Sequence, residues 1–104
     1  MDQILLLITT ESNKKVAKEI AKLLLKKKLA ACVSLKDIYS IYEWEGKIEE
    51  VMEVEITIKS KPEFKNDLIV FLQEITSYKV PQILYKKFRS EKKYINWVNK
   101  ATLI

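Results

Sequence analysis

The sequence predicts an α+β sandwich, one four-stranded antiparallel sheet with helices on one face. Two observations carry that reading. Apolar residues alternate between helical spacing and strand-like runs in the order strand, helix, strand, strand, helix, strand, then a terminal helix. The only glycine of 104 residues, Gly46, stands between the second and third strands, inside SIYEWEGKIEE. Two strand–helix–strand halves joined by a hairpin make one domain over residues 1–104.

The elements follow in order. Ile4-Leu5-Leu6-Leu7-Ile8 is apolar without alternation, which suits a central strand covered on both faces, or on one face plus a partner. With no basic flank before it, this run is too short for a signal peptide or a membrane span. Ser12 or Asn13 can cap the helix that follows. Val16, Ala17, Ile20, Ala21, Leu23 and Leu24 form its apolar stripe, and Lys14, Lys15, Lys18, Lys22 and Lys26 its solvated face. From Ala30 to Trp44 branched and aromatic residues predict a strand. Its apolar set changes parity at Lys36-Asp37, so a bulge or bend is expected there.

Val54, Ile56 and Ile58 alternate with polar residues as a half-buried third strand. The Glu45-Gly46 turn between the two strands is tight, and a tight turn needs the positive φ that glycine adopts without a Cβ clash. Ser60-Lys61-Pro62-Glu63 reads as a capping box opening the second helix, whose stripe is Phe64, Leu68, Phe71, Leu72 and Ile75. Thr76 to Lys79 is a loop. Val80 to Arg89 is a fourth strand, which Pro81 places at an edge or a strand start. Ser90 is expected to cap the last helix, with Tyr94, Ile95, Trp97, Val98 and Ala101 buried. The sum is a ferredoxin-like βαββαβ sandwich with a long hairpin and a C-terminal helix. An apolar hairpin of that length cannot cover itself, and another subunit is its expected partner.

Composition narrows the function. The chain is 48% hydrophobic and 32% charged, enough for a core and a mixed-sign surface. Its net charge of +5 comes almost wholly from lysine, with one arginine, Arg89. Nucleic-acid readers favour arginine forks, and the basic-glycine-aromatic motif of sheet-face RNA binders is missing. Tyr39, Tyr42 and Trp44 therefore read as hairpin and interface packing. No histidine is present, and one cysteine, Cys32, excludes an internal disulfide and suits the cytoplasm. Among Leu29, Ala30, Ala31 and Val33, Cys32 reads as a small buried hydrophobe. One glycine and no histidine leave no phosphate loop, nucleophile elbow or nucleophile–histidine pair, so catalysis is not expected. Glu43, Glu45, Glu49, Glu50, Glu53 and Glu55 crowd the hairpin. Such crowding could form a carboxylate site for a hard cation, but without a calcium-loop spacing they read as the solvated face of a strand or as partners for lysines of a neighbouring chain.

Five segments, LAACVS, SIYEWEGKIEE, EVEITIKS, YKVPQIL and YINWVN, resemble the CutA family of divalent-cation tolerance proteins, from about Leu5 to Asn99. The resemblance implies a PII-like homotrimer whose long hairpins pair with neighbouring subunits. It also implies a cytoplasmic, non-enzymatic role in tolerance of copper and other divalent metals, with no membrane or nucleic-acid partner. At the family's metal-ligand positions this chain has Thr9, Thr76 and Gln82 in place of cysteine, histidine and glutamate. Lys36-Asp37-Ile38 stands one residue shorter than the family's proline-glycine element. No cofactor is implied beyond a weakly bound divalent cation, copper or zinc. In the family's arrangement Lys59, Tyr78 and Gln82 approach a neighbour's hairpin bearing Trp44 and Glu50. That cleft between subunits could take a small anion, a metabolite or a weakly held cation. The alternative is a PII-like signalling trimer that binds a small molecule and no metal directly.

Overall fold

The computed structural model describes residues 2–103. The chain runs β1 (Gln3–Glu11), α1 (Lys14–Lys26), β2 (Cys32–Trp44), β3 (Lys47–Ser60), a 3-10 turn (Pro62–Phe64), α2 (Lys65–Ile75), β4 (Leu84–Arg89) and α3 (Lys92–Ala101). The four strands form one sheet in the order β2-β3-β1-β4, and every neighbouring pair is antiparallel. This is the ferredoxin-like sandwich.

Strand alternation divides the core. Leu5 and Leu7 of β1 and Val54, Ile56 and Ile58 of β3 point to one face, where they pack with Ala17, Ile20 and Leu24 of α1 and Leu68 and Leu72 of α2. Asn13 caps α1, its side chain accepting a hydrogen bond from the Val16 amide at 2.9 Å. At the other end Lys28 takes φ 64, a left-handed position usually given to glycine. α3 departs from the expected single helical layer. Ile95 and Val98 pack on Ile4 and Ala31, and Ile4 points away from Leu5, so α3 covers one end of the opposite face. Trp97, expected to be buried, is 48% exposed and stacks on Tyr94 instead.

Both proposed serine caps are replaced. Ser60 is fully buried as the last residue of β3, and its Oγ donates to the Leu29 carbonyl at 2.6 Å. It ties the end of the hairpin to the turn after α1. Lys61 precedes the 3-10 turn without a side-chain cap bond. Ser90 donates to the Glu91 carbonyl, and Glu91 occupies the cap position of α3. β4 begins at Leu84, later than the sequence suggests. Pro81 has no amide hydrogen for a ladder, and pairing with β1 starts where Leu84 meets Ile8.

The hairpin dominates the shape. β2 has 13 residues and β3 has 14. At about 3.3 Å per residue such strands span about 43 Å, close to the longest molecular extent of 46 Å. The expected bulge at Lys36-Asp37 is absent, since pairing is unbroken from Cys32 opposite Lys59 to Trp44 opposite Lys47. The parity change has another cause. Asp37 pairs with Lys14 of α1 at 3.0 Å, and beyond this point the ribbon leaves the helices behind. β1 accompanies β3 only from Val54 to Ser60. With no layer on either side, the distal ribbon carries apolar groups on both faces, and Tyr39, Ile41, Trp44, Ile48 and Met52 are exposed.

The ribbon closes through two residues in left-handed conformation, Glu45 at φ 51 and Gly46 at φ 79, the signature of a type I′ turn. A Cβ added at Gly46 would meet nothing within 4 Å, so the cost of any side chain there is purely one of backbone conformation. Gly46→Val should lower stability by about 1 kcal/mol or more. Glu45→Asn, which tolerates the left-handed region better, should raise it by a few tenths of a kcal/mol. Thermal melts of both variants check the pair, and a neutral Gly46→Val would contradict this account of the turn.

Candidate functional site

Where the ribbon leaves the body, it and the irregular segment before β4 enclose a cleft of about 560 Å³. The register explains its lining. Ser40, Tyr42 and Trp44 alternate onto the sheet face away from α1 and α2, the face that also carries Glu53 of β3 and Thr10 of β1. Ser77, Tyr78, Lys79, Val80 and Gln82 close the far side. The sheet thus supplies one wall with Tyr42, Trp44 and Glu53, the Tyr78 ring belongs to the far side, and Glu45 of the turn adds a second carboxylate.

Two polar ties hold the far wall in place. The Tyr78 hydroxyl donates to Glu53 Oε1 at 2.8 Å. Glu11, ending β1, is 1% exposed. Its Oε1 accepts from the Ser12 amide at 2.9 Å and its Oε2 from the Ser77 amide at 3.2 Å. A buried carboxylate is costly unless hydrogen-bonded, and here it is held by backbone donors from two segments. Thr76 adds a local bond, its Oγ1 accepting from the Tyr78 amide at 3.1 Å. Burial, followed by the Glu53 contact, pushes the Tyr78 phenol well above its ordinary pKa. A second phenol–carboxylate pair, Tyr39 to Glu50 Oε1 at 2.8 Å, lies on the other side of the ribbon. There the hydrogen bond to Glu50 raises the Tyr39 pKa.

The residues singled out from sequence distribute as follows. Trp44, Tyr78 and Gln82 line the one cleft. Glu50 sits on the opposite ribbon face with Tyr39. Lys59 lies at the far end of β3, opposite Cys32 and Leu6, about 20 Å of strand from Glu53. Thr9, 3% exposed, points with Leu7 toward the helices, away from the cleft that Gln82 lines. Thr9, Thr76 and Gln82 therefore do not converge on one point, and their donors are two hydroxyls and an amide, so these positions do not fit a copper centre. The six hairpin glutamates are split as well. Glu43 and Glu50 face one side, Glu49, Glu53 and Glu55 the other, and Glu45 occupies the turn. Among the described residues no three histidine, cysteine, aspartate or glutamate side chains could hold a metal ion together. Cys32 is a half-buried free thiol.

Sequence reasoning missed Glu11 and did not single out Glu53. For Glu11 the available signal was an acid ending an apolar strand directly after Thr9-Thr10.

The chain matches the family model described as CutA1 divalent ion tolerance protein over residues 5–101. It is 41% identical over 92 residues to the mouse Protein CutA, covering 86% of this chain and 52% of that protein. The chain thus spans about half the length of the mouse and human proteins it matches. It is 32% identical over 101 residues to the divalent-cation tolerance protein CutA of Yersinia pestis, covering 95% of this chain and 85% of the relative. The crystal structure of the divalent ion tolerance protein CutA1 from Ehrlichia chaffeensis superposes with a TM-score of 0.94 at 32% identity, covering 100% of this chain and 99% of that one. A structure from Archaeoglobus fulgidus, described as the periplasmic divalent cation tolerance protein CutA, gives 0.91 at 32% identity, covering 95% and 98%.

The raised Tyr78 pKa has a definite sign in stability. Folding favours the neutral phenol, so its contribution is complete below the ordinary tyrosine pKa of 10.0. It is lost as pH climbs beyond that value toward the folded pKa. Compared with Tyr78→Phe, the unchanged protein should lose stability more steeply above pH 10 in denaturant titrations. Parallel profiles for the two would contradict it.

Proposed function

The chain belongs to the CutA1 family of divalent ion tolerance proteins, and on that premise we propose that it acts as a non-enzymatic homotrimer, a binding and scaffold protein in the response to divalent cations such as copper. The observation that carries the assembly is the free edge of β2. Thirteen residues with no proline present backbone donors and acceptors on an outer strand. Such an edge is a template for another chain. Exposed Tyr39, Ile41, Ile48 and Met52 add apolar surface that a neighbour would cover. In that assembly Lys59, Tyr78 and Gln82 of one subunit approach a neighbour's hairpin bearing Trp44 and Glu50. The cleft is the sensing site, and no nucleic acid or membrane takes part. Among the described residues no helix is long and apolar enough to cross a membrane. The lone free thiol of Cys32 suits a reducing cytoplasm.

One observation favours a second reading, in which the trimer signals through a small molecule as PII-like proteins do and affects metal tolerance indirectly. The residues at the ligand positions, Thr9, Thr76 and Gln82, supply neither thiolate, imidazole nor carboxylate.

Sedimentation velocity at dilute concentration should give a particle of three chains, and Trp44→Ala should shift it toward smaller species. A stable monomer would remove the basis of the assembly. Isothermal titration with Cu(II) should give binding weaker than about micromolar, as expected of scattered oxygen donors, and tight binding would reject the indirect reading. In a host lacking its own family member, the chain should restore copper tolerance, while trimeric Tyr78→Ala should not. Full activity of that variant would remove the cleft from the role.

A further inference from the structure

We propose that the cleft between the ribbon and the segment before β4 takes an organic cation, a protonated amine or quaternary ammonium head group. This rests on reading the cleft as the ligand site and names its ligand class. Three rings line the volume, Tyr42, Trp44 and Tyr78. Tryptophan and tyrosine faces are the strongest attractors of a cation through the ring quadrupole. Two carboxylates, Glu45 and Glu53, share the lining with one lysine, Lys79. Glu53 is half-buried and fixed by the Tyr78 hydroxyl on Oε1, which leaves Oε2 to accept from an ammonium N–H or to neutralise a methylated head.

Competing ligand classes fit less well. Within one chain an anion would meet Glu45 and Glu53 against one exposed lysine, Lys79, and the proposed assembly adds Glu50 against Lys59, so carboxylates outnumber lysines either way; the only arginine, Arg89, pairs with Asp2 far from the cleft. A transition metal would find no thiolate or imidazole. A hard divalent ion prefers six or more oxygens, and the described residues offer no group of three carboxylates or other such ligands. The cleft volume of about 560 Å³ lies within the usual range for small-molecule sites, which suits a head group carrying a short organic chain.

The protein supplies its own reporter. Trp97 is on α3, stacked on Tyr94, which itself packs against the Ile4 cluster at the opposite end of β1 from Thr10. Trp97→Phe keeps an aromatic ring there and leaves Trp44 as the sole tryptophan. In that background, titration with tetramethylammonium chloride should change Trp44 emission saturably in the millimolar range. Sodium chloride at matched ionic strength, sodium acetate and the neutral isostere tert-butanol should not. Glu53→Gln, which keeps the size of the side chain, should weaken the response about tenfold, and Tyr42→Leu should do likewise. Circular dichroism melts establish that each variant is folded. No saturable response to the ammonium, an equal response to tert-butanol, or an undiminished one in Glu53→Gln overturns the assignment. A saturable response to acetate alone overturns the ligand class but leaves the cleft as a site. No response to any probe, together with full copper tolerance from Tyr78→Ala, removes both.

Discussion

The structure depends on one uninterrupted antiparallel ladder. β2 and β3 stay in register from Cys32–Lys59 to Trp44–Lys47, and a two-residue turn with both φ values positive closes them. Half of this ladder belongs to the sheet and half projects beyond it. The near half is stabilised conventionally, with Val54, Ile56 and Ile58 buried under α1 and α2. The far half has no second layer, and a two-stranded ribbon in water is marginal by itself. Its geometry must therefore be specified by the turn, by cross-strand pairs such as Tyr39–Glu50, and, in the proposed trimer, by the neighbour that covers it.

The cleft follows from the same ladder. A ribbon projecting past the end of β1 creates a concave corner, and the chain between α2 and β4 runs across it. That segment has no ladder of its own. It is held by contacts to Glu11 on β1 and Glu53 on β3, two carboxylates on opposite faces of the sheet. A site so built has one rigid wall of strands and one wall tethered by side chains. Such tethered walls are where ligand-dependent adjustment is least costly.

Much of this was legible in the residues. Periodicity gave the order of elements, Ser12-Asn13 gave a cap that the structure assigns to Asn13, and Gly46 gave the turn, because each depends on interactions within a few residues. What failed was non-local. Ser60 before Lys61-Pro62 looks like a helix cap, but its hydroxyl is satisfied by Leu29, 31 residues away. The mixed parity of β2 looked like a bulge because periodicity reports burial, and in the ribbon no layer separates an inside from an outside. Trp97 looked like core because helical spacing shows a stripe without saying how wide the covered surface is. Resemblance named Trp44, Tyr78 and Gln82 as parts of a cleft between subunits, whereas within one chain they line a single volume, and the role of Glu11 emerges only when Ser77 is brought to it across 66 positions.

The unbroken ladder also limits how the hairpin can change in length. Adding one residue to either strand turns every side chain beyond it through the sheet, so Tyr42 and Trp44 would exchange sides with Ile41 and Glu43. Growth or trimming is compatible with the present arrangement only as matched insertions or deletions of two residues in each strand. Each such step moves the tip by about 7 Å. Variants of this fold should therefore differ in ribbon reach by discrete increments, with aromatic rings and acids keeping their own sides.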